Sequence, residues 1–257
     1  MSGSLLQAVG DAAALAGVEA MKHFRRPLAV ETKSDGSPVS RADRDAERVA
    51  RAWIEEHFPA DGILGEELGE MRPGARRRWL VDPVDGTRAF VKGVPLWGTL
   101  VAVVEGERVI AGAAEFPALG ERIVAAAGEG CWWNGTRSEV SRVDAVGSAT
   151  VLATDAAFLL TPERGERWRA LAARAGTART WGDCFGYLLV ATGRAELMLD
   201  ARLSPWDAAA VQIAVEEAGG VFTDWNGNPT SFGDGAVATN AALASELRRG
   251  LGVPGPG

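Results

Sequence analysis

The stretch Trp79–Thr87, with the sequence WLVDPVDGT, decides how the rest of the chain is interpreted. Its apolar start, Trp79 to Val81, predicts a buried strand, and Pro83 ends the pairing just after Asp82 because proline has no N–H to donate. Residues 85–87, Asp-Gly-Thr, then predict a turn that opens a helix. The stretch therefore predicts a strand that delivers two carboxylates to one rim of a sheet.

Two carboxylates separated by a proline and a valine form a pattern that suits a hard cation. Asp82, Asp85 and the backbone carbonyl of Val84 can converge on one oxygen-liganded ion. Gly86 lets the backbone approach a ligand, and the N–H groups of Gly86 and Thr87 at a helix N-terminus favour a phosphate. The alternative is an ordinary turn that ends the strand, because Asp, Pro and Gly are common turn residues.

Further acidic residues follow apolar segments elsewhere in the chain. Glu66 and Glu67 come after the short apolar run 63–64, and the connection to Trp79 can return the chain to the same sheet edge. Asp207 precedes the apolar helical pattern Ala208–Ala218 and would lie in the first turn of that helix. Taken alone, the glutamates are typical of a solvated loop and Asp207 is typical of a helix cap.

Together these motifs resemble those of the inositol monophosphatase family of metal-dependent phosphatases. The matching motifs, in the family's order and spacing, are GEE at 65–67, DPVDGT at 82–87, WDAAA at 206–210 and EEAGG at 216–220. The similarity covers nearly the whole chain. It implies a layered sandwich of the inositol monophosphatase and fructose bisphosphatase type, with an α+β first half built on an antiparallel sheet and an α/β second half.

The resemblance implies a phosphomonoesterase that uses two or three Mg²⁺ ions. The family's metal-binding positions correspond to Glu66, Asp82, the Val84 carbonyl, Asp85 and Asp207. Its water-orienting residues correspond to Glu66, Thr87 and Asp43, and its phosphate-binding N–H groups correspond to Gly86 and Thr87. Physically, several carboxylates that face one point repel each other strongly unless cations neutralise them.

Asp43 also has an interpretation that needs no family. The sequence Ser-Arg-Ala-Asp at 40–43 is similar to a capping box, with Asp where Glu or Gln is usual. It predicts a helix whose inward face carries Ala46, Val49, Ala50, Trp53 and Ile54. The local pattern therefore favours a helix cap for Asp43, whereas the family's acid at this position lies beside the threonine that matches Thr87.

Within the family, the sequence most resembles the histidinol-phosphate phosphatases. The residues that carry this similarity are DGTRAF at 85–90, PLWGTL at 95–100 and GDCFGY at 182–187, which leads into ATGRAE at 191–196. Inositol-specific members usually have small neutral residues where Asp183 stands. The resemblance implies L-histidinol phosphate as the substrate and a place in histidine biosynthesis. An inositol-1-phosphate or broad-specificity polyol monophosphatase is the alternative.

Histidinol phosphate carries an ammonium group and an imidazole, so its pocket requires carboxylates beyond the metal site. Asp183 opens a predicted helix, and Asp200 ends a predicted strand where inositol-specific relatives place a polyol-contacting acid. Their structural alternatives are a helix cap and a solvated turn. Glu196 and Arg88 are further candidates for the substrate site, with Glu196 alternatively a structural strand residue and Arg88 a lid or phosphate contact.

Composition excludes several other classes of function. The net charge of −7 over 257 residues argues against nucleic acid or an anionic membrane as the main partner. The two cysteines form no CxxC pair, which favours a reducing cytoplasm, and the N-terminal segment lacks the features of a signal peptide or membrane span. Only two histidines are present, so a zinc cage is not expected and Mg²⁺ is the natural metal.

The predicted elements divide the chain into two halves. Residues 1–146 predict two helices on a mainly antiparallel sheet and contain the metal-binding acids, while residues 147–257 predict alternating strands and helices that carry substrate specificity. We expect one compact unit with a cleft between the halves. The tryptophan-rich first half and the family both favour a homodimer. A regulatory protein that only binds protein or RNA is a rival interpretation, but such a protein has no need for the full set of acids.

Overall fold

The computed structural model describes residues 4–27, 30–32, 38–155 and 161–255. Its helices are α1 (Leu5–Met21), α2 (Arg41–His57), α3 (Thr87–Val91), α4 (Pro162–Ala172), α5 (Asp183–Ala191), α6 (Pro205–Glu217) and α7 (Ala244–Leu251). Its strands are β1 (Val30–Thr32), β2 (Pro38–Ser40), β3 (Gly62–Gly65), β4 (Gly69–Met71), β5 (Arg77–Asp85), β6 (Gly98–Glu105), β7 (Arg108–Phe116), β8 (Glu121–Ala126), β9 (Gly130–Trp133), β10 (Thr136–Ser138), β11 (Thr150–Ala153), β12 (Thr177–Arg179), β13 (Leu197–Asp200), β14 (Val221–Thr223) and β15 (Ala236–Thr239).

Apart from the small β1–β2 pair, the strands form two large sheets. The first sheet has eight strands in the order β10-β9-β8-β7-β6-β5-β3-β4, and its pairings are antiparallel except that between β3 and β5. The second has five strands in the order β12-β11-β13-β15-β14. The mainly antiparallel sheet predicted for the first half is confirmed. The domain boundary at residue 146 stays a prediction.

Alternate residues of the strands face different helix layers, as the pleat of a strand requires. In β5, Trp79 and Val81 pack with α1 and α2, whereas Leu80 packs with α5 and α6. In β13, Met198 faces α5 and α6, and Leu199 packs with α4 and α7 on the other side. The order of layers is therefore α1/α2, first sheet, α5/α6, second sheet and α4/α7. The predicted layered sandwich is confirmed.

Helix α2 begins at the predicted capping box. The Ser40 N–H donates to Asp43 Oδ2 at 2.9 Å. On the predicted inward face, Ala46, Ala50 and Ile54 are fully buried. None of the helices in the described ranges is long and apolar enough to cross a membrane. The loop predicted at 33–38 lies, apart from its last residue, outside the described residues.

Strand β5 does not end at Asp82, so the prediction of its end is wrong. Pairing with β6 is interrupted after Asp82, which lies opposite Leu100, and resumes with Asp85 opposite Gly98. The Thr99 hydroxyl donates to the carbonyl of Pro83 at 2.7 Å within this irregular segment. Proline therefore produces a bulge here and does not terminate the strand.

The second half differs from a simple alternation of strands and helices. Strand β15 was not predicted, and it lies between β13 and β14, antiparallel to both. The strands β12, β11 and β13 are parallel, so the second sheet is mixed. Strand β15 has only four residues, all apolar or small, and it follows a segment rich in Gly, Asn and Ser. Its periodic signal is therefore too weak for a strand to be recognised from sequence.

Helix α6 packs against β7 at a separation that requires a glycine. A Cβ at Gly112 would lie 2.8 Å from Ala210 Cα and 2.8 Å from Ile213 Cγ2. Helix α6 also begins two residues before Asp207. The close contact at Gly112 therefore sets the distance between Asp207 and the first sheet.

We expect Gly112→Ala to lower the free energy of unfolding by about 1–3 kcal/mol, because the added methyl group overpacks the contact with α6. Chemical denaturation monitored by circular dichroism measures this change. The matched control is Gly74→Ala, since a Cβ at Gly74 meets nothing within 4 Å. Equal effects of the two substitutions would contradict the close packing of α6 on β7.

Candidate active site

The predicted acidic residues of the first half meet at one end of the first sheet. Strands β3 and β5 are parallel, with Gly65 opposite Val81, so Glu66 and Asp82 follow equivalent positions at the same rim. The Glu66 N–H donates to the Val81 carbonyl at 3.1 Å. As expected from the sequence, the connection between the strands returns the chain to one sheet edge.

The bulge in β5 orients the two aspartates of the DPVDGT motif. The Val84 N–H donates to Asp82 Oδ1 at 2.9 Å, which fixes that carboxylate against its own backbone. The Cys184 N–H, from the start of α5, donates to Asp85 Oδ2 at 2.5 Å. Each aspartate therefore has one oxygen held by a backbone amide.

Asp207 joins these aspartates from the second half of the chain. Its Oδ2 accepts the Ser204 N–H at 2.8 Å, so the predicted helix cap exists. Even so, one carboxylate oxygen from each of Asp82, Asp85 and Asp207 lies within 4.8 Å of the other two. Capping and membership of the acidic cluster are compatible, because a carboxylate has two oxygens with several acceptor positions.

The carboxylates of this cluster raise one another's pKa values, in addition to the effect of burial. Burial, followed by the charges of Glu66, Asp85 and Asp207, raises the pKa of Asp82 well above its ordinary value. Burial and the neighbouring Asp183 and Asp207 do the same to the pKa of Asp85. Burial, with a contribution from Glu66, raises the pKa of Asp207 to about 7.

The donor set fits a hard divalent cation. Within the described part of the chain, no Lys or Arg forms an ion pair with Asp82, Asp85 or Asp207. All the candidate ligands are oxygens, which Mg²⁺ prefers over nitrogen or sulfur. The cluster can therefore hold Mg²⁺, whose charge would offset both the burial and the mutual repulsion that raise these pKa values.

Asp43 is buried beside this cluster and has two kinds of contact. Its Oδ2 accepts the hydroxyl of Ser40 at 2.6 Å in the capping box. Its Oδ1 lies 3.5 Å from the Thr87 hydroxyl, which donates to the Val84 carbonyl at the shorter distance of 2.9 Å. Burial raises the pKa of Asp43. The structure thus contains both the predicted cap and the predicted proximity to Thr87.

Helix α3 begins directly after the DPVD sequence, as predicted. Gly86 is its N-terminal cap and adopts a left-handed backbone conformation with φ of 83°. The helix starts at Thr87, so the N–H groups of Gly86 and Thr87 lie at its first turn. Their role in phosphate binding stays a prediction.

Asp183 lies in the first turn of α5, but it is not the helix cap, which is Gly182. Its N–H donates to Thr154 Oγ1 at 2.7 Å, and its φ is 51°. A Cβ at Gly86 would lie 3.3 Å from Asp183 Oδ2, so this carboxylate is next to the acidic cluster. Burial raises the pKa of Asp183 to about 6, although the charge of Arg88 opposes the shift.

Asp200 is buried at the end of β13, so the interpretation as a solvated turn is wrong. The Tyr187 hydroxyl donates to its Oδ2 at 2.9 Å, and the side chain of Thr154 forms a second hydrogen bond. Burial raises the pKa of Asp200 to about 7 despite these bonds. Thr154 thus connects the backbone of Asp183 to the side chain of Asp200.

Thr154 and Tyr187 are the residues of this network that sequence reasoning missed. No contact is predicted at Thr154, because residues 153–156 (ATDA) depart from the serine-rich or arginine-containing element of some relatives. Tyr187 had a usable signal: it is the chain's one tyrosine and lies one helical turn after Asp183. Residues four apart on a helix share a face, so Tyr187 could have been assigned to the same side of α5 as Asp183.

The other two predicted site residues, Glu196 and Arg88, have different surroundings. Glu196 precedes β13 at the end opposite Asp200, and its carboxylate accepts the Thr150 N–H at 2.6 Å. This position favours the structural interpretation of Glu196 over substrate contact. Arg88 is exposed on α3 and reaches the site through its charge, which acts on Asp183.

Comparison with known proteins gives consistent results. The model of the Inositol monophosphatase family matches residues 4–251. The chain is 43% identical over 250 residues to a histidinol-phosphatase from Chlorobaculum parvum, with 96% of each protein covered. It is 36% identical to a histidinol-phosphatase from Streptomyces coelicolor, over 95% of this chain and 94% of the relative. An inositol monophosphatase structure from Zymomonas mobilis superposes with a TM-score of 0.83 and 31% identity, covering 96% of this chain and 97% of that one.

We expect the metal-free protein to lose stability as the pH rises. The pKa of Asp207 is about 7 in the folded protein against an ordinary value of 3.8, so the folded state binds more protons between these values. This contribution to stability is complete below about pH 4 and is lost as the pH rises through about 7. The free energy of unfolding should therefore fall by about 1–3 kcal/mol between about pH 5 and about pH 7.

Urea denaturation in the presence of a chelator measures this dependence. Asp207→Asn should reduce it, since the amide does not titrate and its oxygen can still accept the Ser204 N–H, while the neighbouring aspartates with raised pKa values keep their own contributions. Glu107→Gln is the matched control, because Glu107 is exposed in the β6–β7 turn, outside the cluster. An unchanged slope in Asp207→Asn would show that Asp207 does not carry the predicted proton.

Proposed function

The chain belongs to the inositol monophosphatase family, and we propose that it hydrolyses L-histidinol phosphate to L-histidinol and phosphate with bound Mg²⁺. The observation that carries this proposal is the position of Asp183, a carboxylate beside the metal-type acidic cluster that is not needed as a helix cap. The relatives named histidinol-phosphatase support the choice of substrate. The reaction would supply the amino alcohol for a later step of histidine biosynthesis.

The acidic cluster would hold two or three Mg²⁺ ions. The proposed ligands are Glu66, Asp82, the Val84 carbonyl, Asp85 and Asp207. Bound Mg²⁺ supplies a water molecule of lowered pKa and stabilises the negative charge on the leaving oxygen. The raised pKa values of Asp82, Asp85 and Asp207 support this assignment, because carboxylates that repel each other gain most from a shared cation.

The attacking water would be oriented by Glu66, Thr87 and Asp43. The Thr87 hydroxyl gives its hydrogen to the Val84 carbonyl, so its oxygen is free to accept a hydrogen bond from the water. Asp43 Oδ1 faces this hydroxyl, while Ser40 occupies Oδ2. The N–H groups of Gly86 and Thr87 would hold the phosphate oxygens at the start of α3.

Substrate recognition would depend on Asp183 and Asp200. Asp183 is partly exposed and, with a pKa of about 6, is mainly ionised at neutral pH. It is therefore suited to bind the substrate's ammonium group through a charge-assisted hydrogen bond. Asp200 is more deeply buried than Asp183. It bonds to Tyr187 and to Thr154, and Thr154 also accepts the Asp183 N–H. Arg88 would contribute by keeping Asp183 charged.

We also propose a homodimer in the cytoplasm that acts on a small phosphorylated metabolite, with no nucleic-acid or membrane partner. The net charge of −7 supports the last point. Trp132 and Trp133 are only partly buried, and Leu15 and Val18 are exposed on α1, which leaves apolar surface for a second subunit. We further propose that residues 1–146 and 147–257 act as one unit, because Asp85 and Asp207 from the two halves belong to one cluster.

A polyol monophosphatase is the second candidate function. The similarity to the inositol monophosphatase from Zymomonas mobilis favours it, as does the fact that the acidic cluster itself does not discriminate between alcohols. The distinction between the two candidates therefore depends on the substrate profile.

We expect phosphate release by the purified protein to favour histidinol phosphate over inositol 1-phosphate, glycerol 2-phosphate and an adenosine bisphosphate. The kcat/KM for histidinol phosphate should exceed that for each of the other esters by about 100-fold or more, since a site that pairs with a cationic group rejects analogues without that group. Activity should disappear with a chelator and return with Mg²⁺. Asp207→Asn should be inactive while keeping its fold by circular dichroism.

A flat or inositol-preferring profile would replace the proposed substrate with a polyol phosphate and keep the metal mechanism. If none of the esters were hydrolysed in a metal-dependent way, the proposed phosphatase activity would be contradicted. In that case the protein would be a binding protein on the same fold.

We expect Asp183→Asn to raise KM for histidinol phosphate by about 10- to 100-fold, because it removes a charge-assisted hydrogen bond. Asparagine tolerates the left-handed backbone at this position, so the Thr154 hydrogen bond to the backbone should persist. The control is KM for glycerol 2-phosphate with the same variant, which should change by less than about threefold. Equal losses on both esters would contradict a role for Asp183 in selecting the substrate.

A further inference from the structure

The turn that carries Glu66, between β3 and β4, is bound by a buried carboxylate of α2. Glu47 is 0% exposed. Its Oε2 accepts the Glu67 N–H at 2.7 Å, and its Oε1 accepts the Leu68 N–H at 3.2 Å. Two successive amides of the turn therefore donate to one side chain.

Arg51, one helical turn along α2, completes this arrangement. Its Nε donates to Glu47 Oε1 at 2.7 Å, and its Nη2 donates to the carbonyl of Gly69 at the end of the turn. A Cβ at Gly65 would lie 1.9 Å from Glu47 Oε1, so the carboxylate occupies the space beside the last residue of β3. The Glu47–Arg51 pair thus contacts the turn before and after Glu66.

Glu66 lies in the turn that these contacts hold. Asp82 and Asp85 lie at the bulge of β5 and Asp207 lies in the first turn of α6, where backbone amides hold their carboxylates. Glu66 follows the end of β3, and its N–H bond to Val81 holds only the start of the turn. The contacts with Glu47 and Arg51 hold the residues that follow Glu66, from Glu67 to Gly69.

We propose that Glu47, together with Arg51, is a positioning residue that sets the location of Glu66 in the acidic cluster. Glu47 does not belong to the group formed by Asp82, Asp85 and Asp207, and both its oxygens are occupied by turn amides and Arg51. It acts through Glu66 and touches neither metal nor substrate. This inference rests on the proposed role of Glu66 as a metal ligand.

The test is Mg²⁺ binding by Glu47→Gln, measured by isothermal titration calorimetry with Mg²⁺ alone and by the rise in Tm on adding Mg²⁺. Glutamine keeps the shape of the side chain, but its NH₂ group cannot accept an N–H from the turn and its neutrality leaves Arg51 without a counter-ion. We expect Kd for Mg²⁺ to rise by about tenfold, as for other residues that orient a metal ligand.

Asp61→Asn is the matched control. Asp61 is 6% exposed at the opposite end of β3, where its Oδ2 accepts the Arg77 Nε–H at 2.7 Å and the Trp79 Nε1–H at 2.8 Å. Its substitution should lower Tm and leave Kd for Mg²⁺ within about twofold. In a double-variant cycle, Glu47→Gln should add no further loss of affinity once Glu66 is replaced by Gln.

The outcomes separate this inference from the proposed function. If wild-type protein binds no Mg²⁺, the proposed function fails and takes the role of Glu47 with it. If Glu66→Gln weakens binding and Glu47→Gln binds Mg²⁺ like the wild type or like Asp61→Asn, only the positioning role is overturned. Should Glu47→Gln not fold, Arg51→Lys carries the same test, since lysine keeps the charge and loses the planar fork that reaches Gly69.

Discussion

Repulsion between carboxylates at one sheet rim is the constraint on which the rest of this structure depends. Asp82, Asp85 and Asp207 lie within 4.8 Å of one another through their oxygens, and the charge of Glu66 acts on Asp82. Such a group would separate if the backbone allowed it. The fold prevents separation by giving each aspartate a backbone amide partner from a bulge, a helix start or a capping box.

The second half of the chain supplies part of this restraint and, under the proposed function, the residues that select the substrate. The start of α5 contributes the Cys184 N–H to Asp85 and, one residue earlier, the carboxylate of Asp183. Thr154 links that helix start to Asp200 at the end of β13. In the proposed function, the residues for phosphate-ester hydrolysis and those for recognition of one alcohol are therefore adjacent, and both are held by the start of α5.

Much of the site could be predicted from sequence because its acids belong to motifs that resemble those of one family, in the same order and spacing. The apolar run before Glu66 and the helical pattern after Asp207 each place a carboxylate at the terminus of an element, whereas Asp82 lies within β5. The bulge after Asp82 could not be predicted, since it depends on the Thr99 hydroxyl of a neighbouring strand. Likewise, Thr154 lies 29 residues before Asp183, and only the assembled fold brings these residues together.

Strand β15 has a consequence for the way in which the protein is made. It lies inside the second sheet and hydrogen-bonds to β13 on one side and β14 on the other. During synthesis, β14 therefore has no partner strand in this sheet, among the described residues, until residue 239 has left the ribosome. The first sheet, whose strands end at Ser138, can form earlier. Completion of the second sheet, and of the layer order that surrounds α5 and α6, therefore follows the synthesis of residue 239.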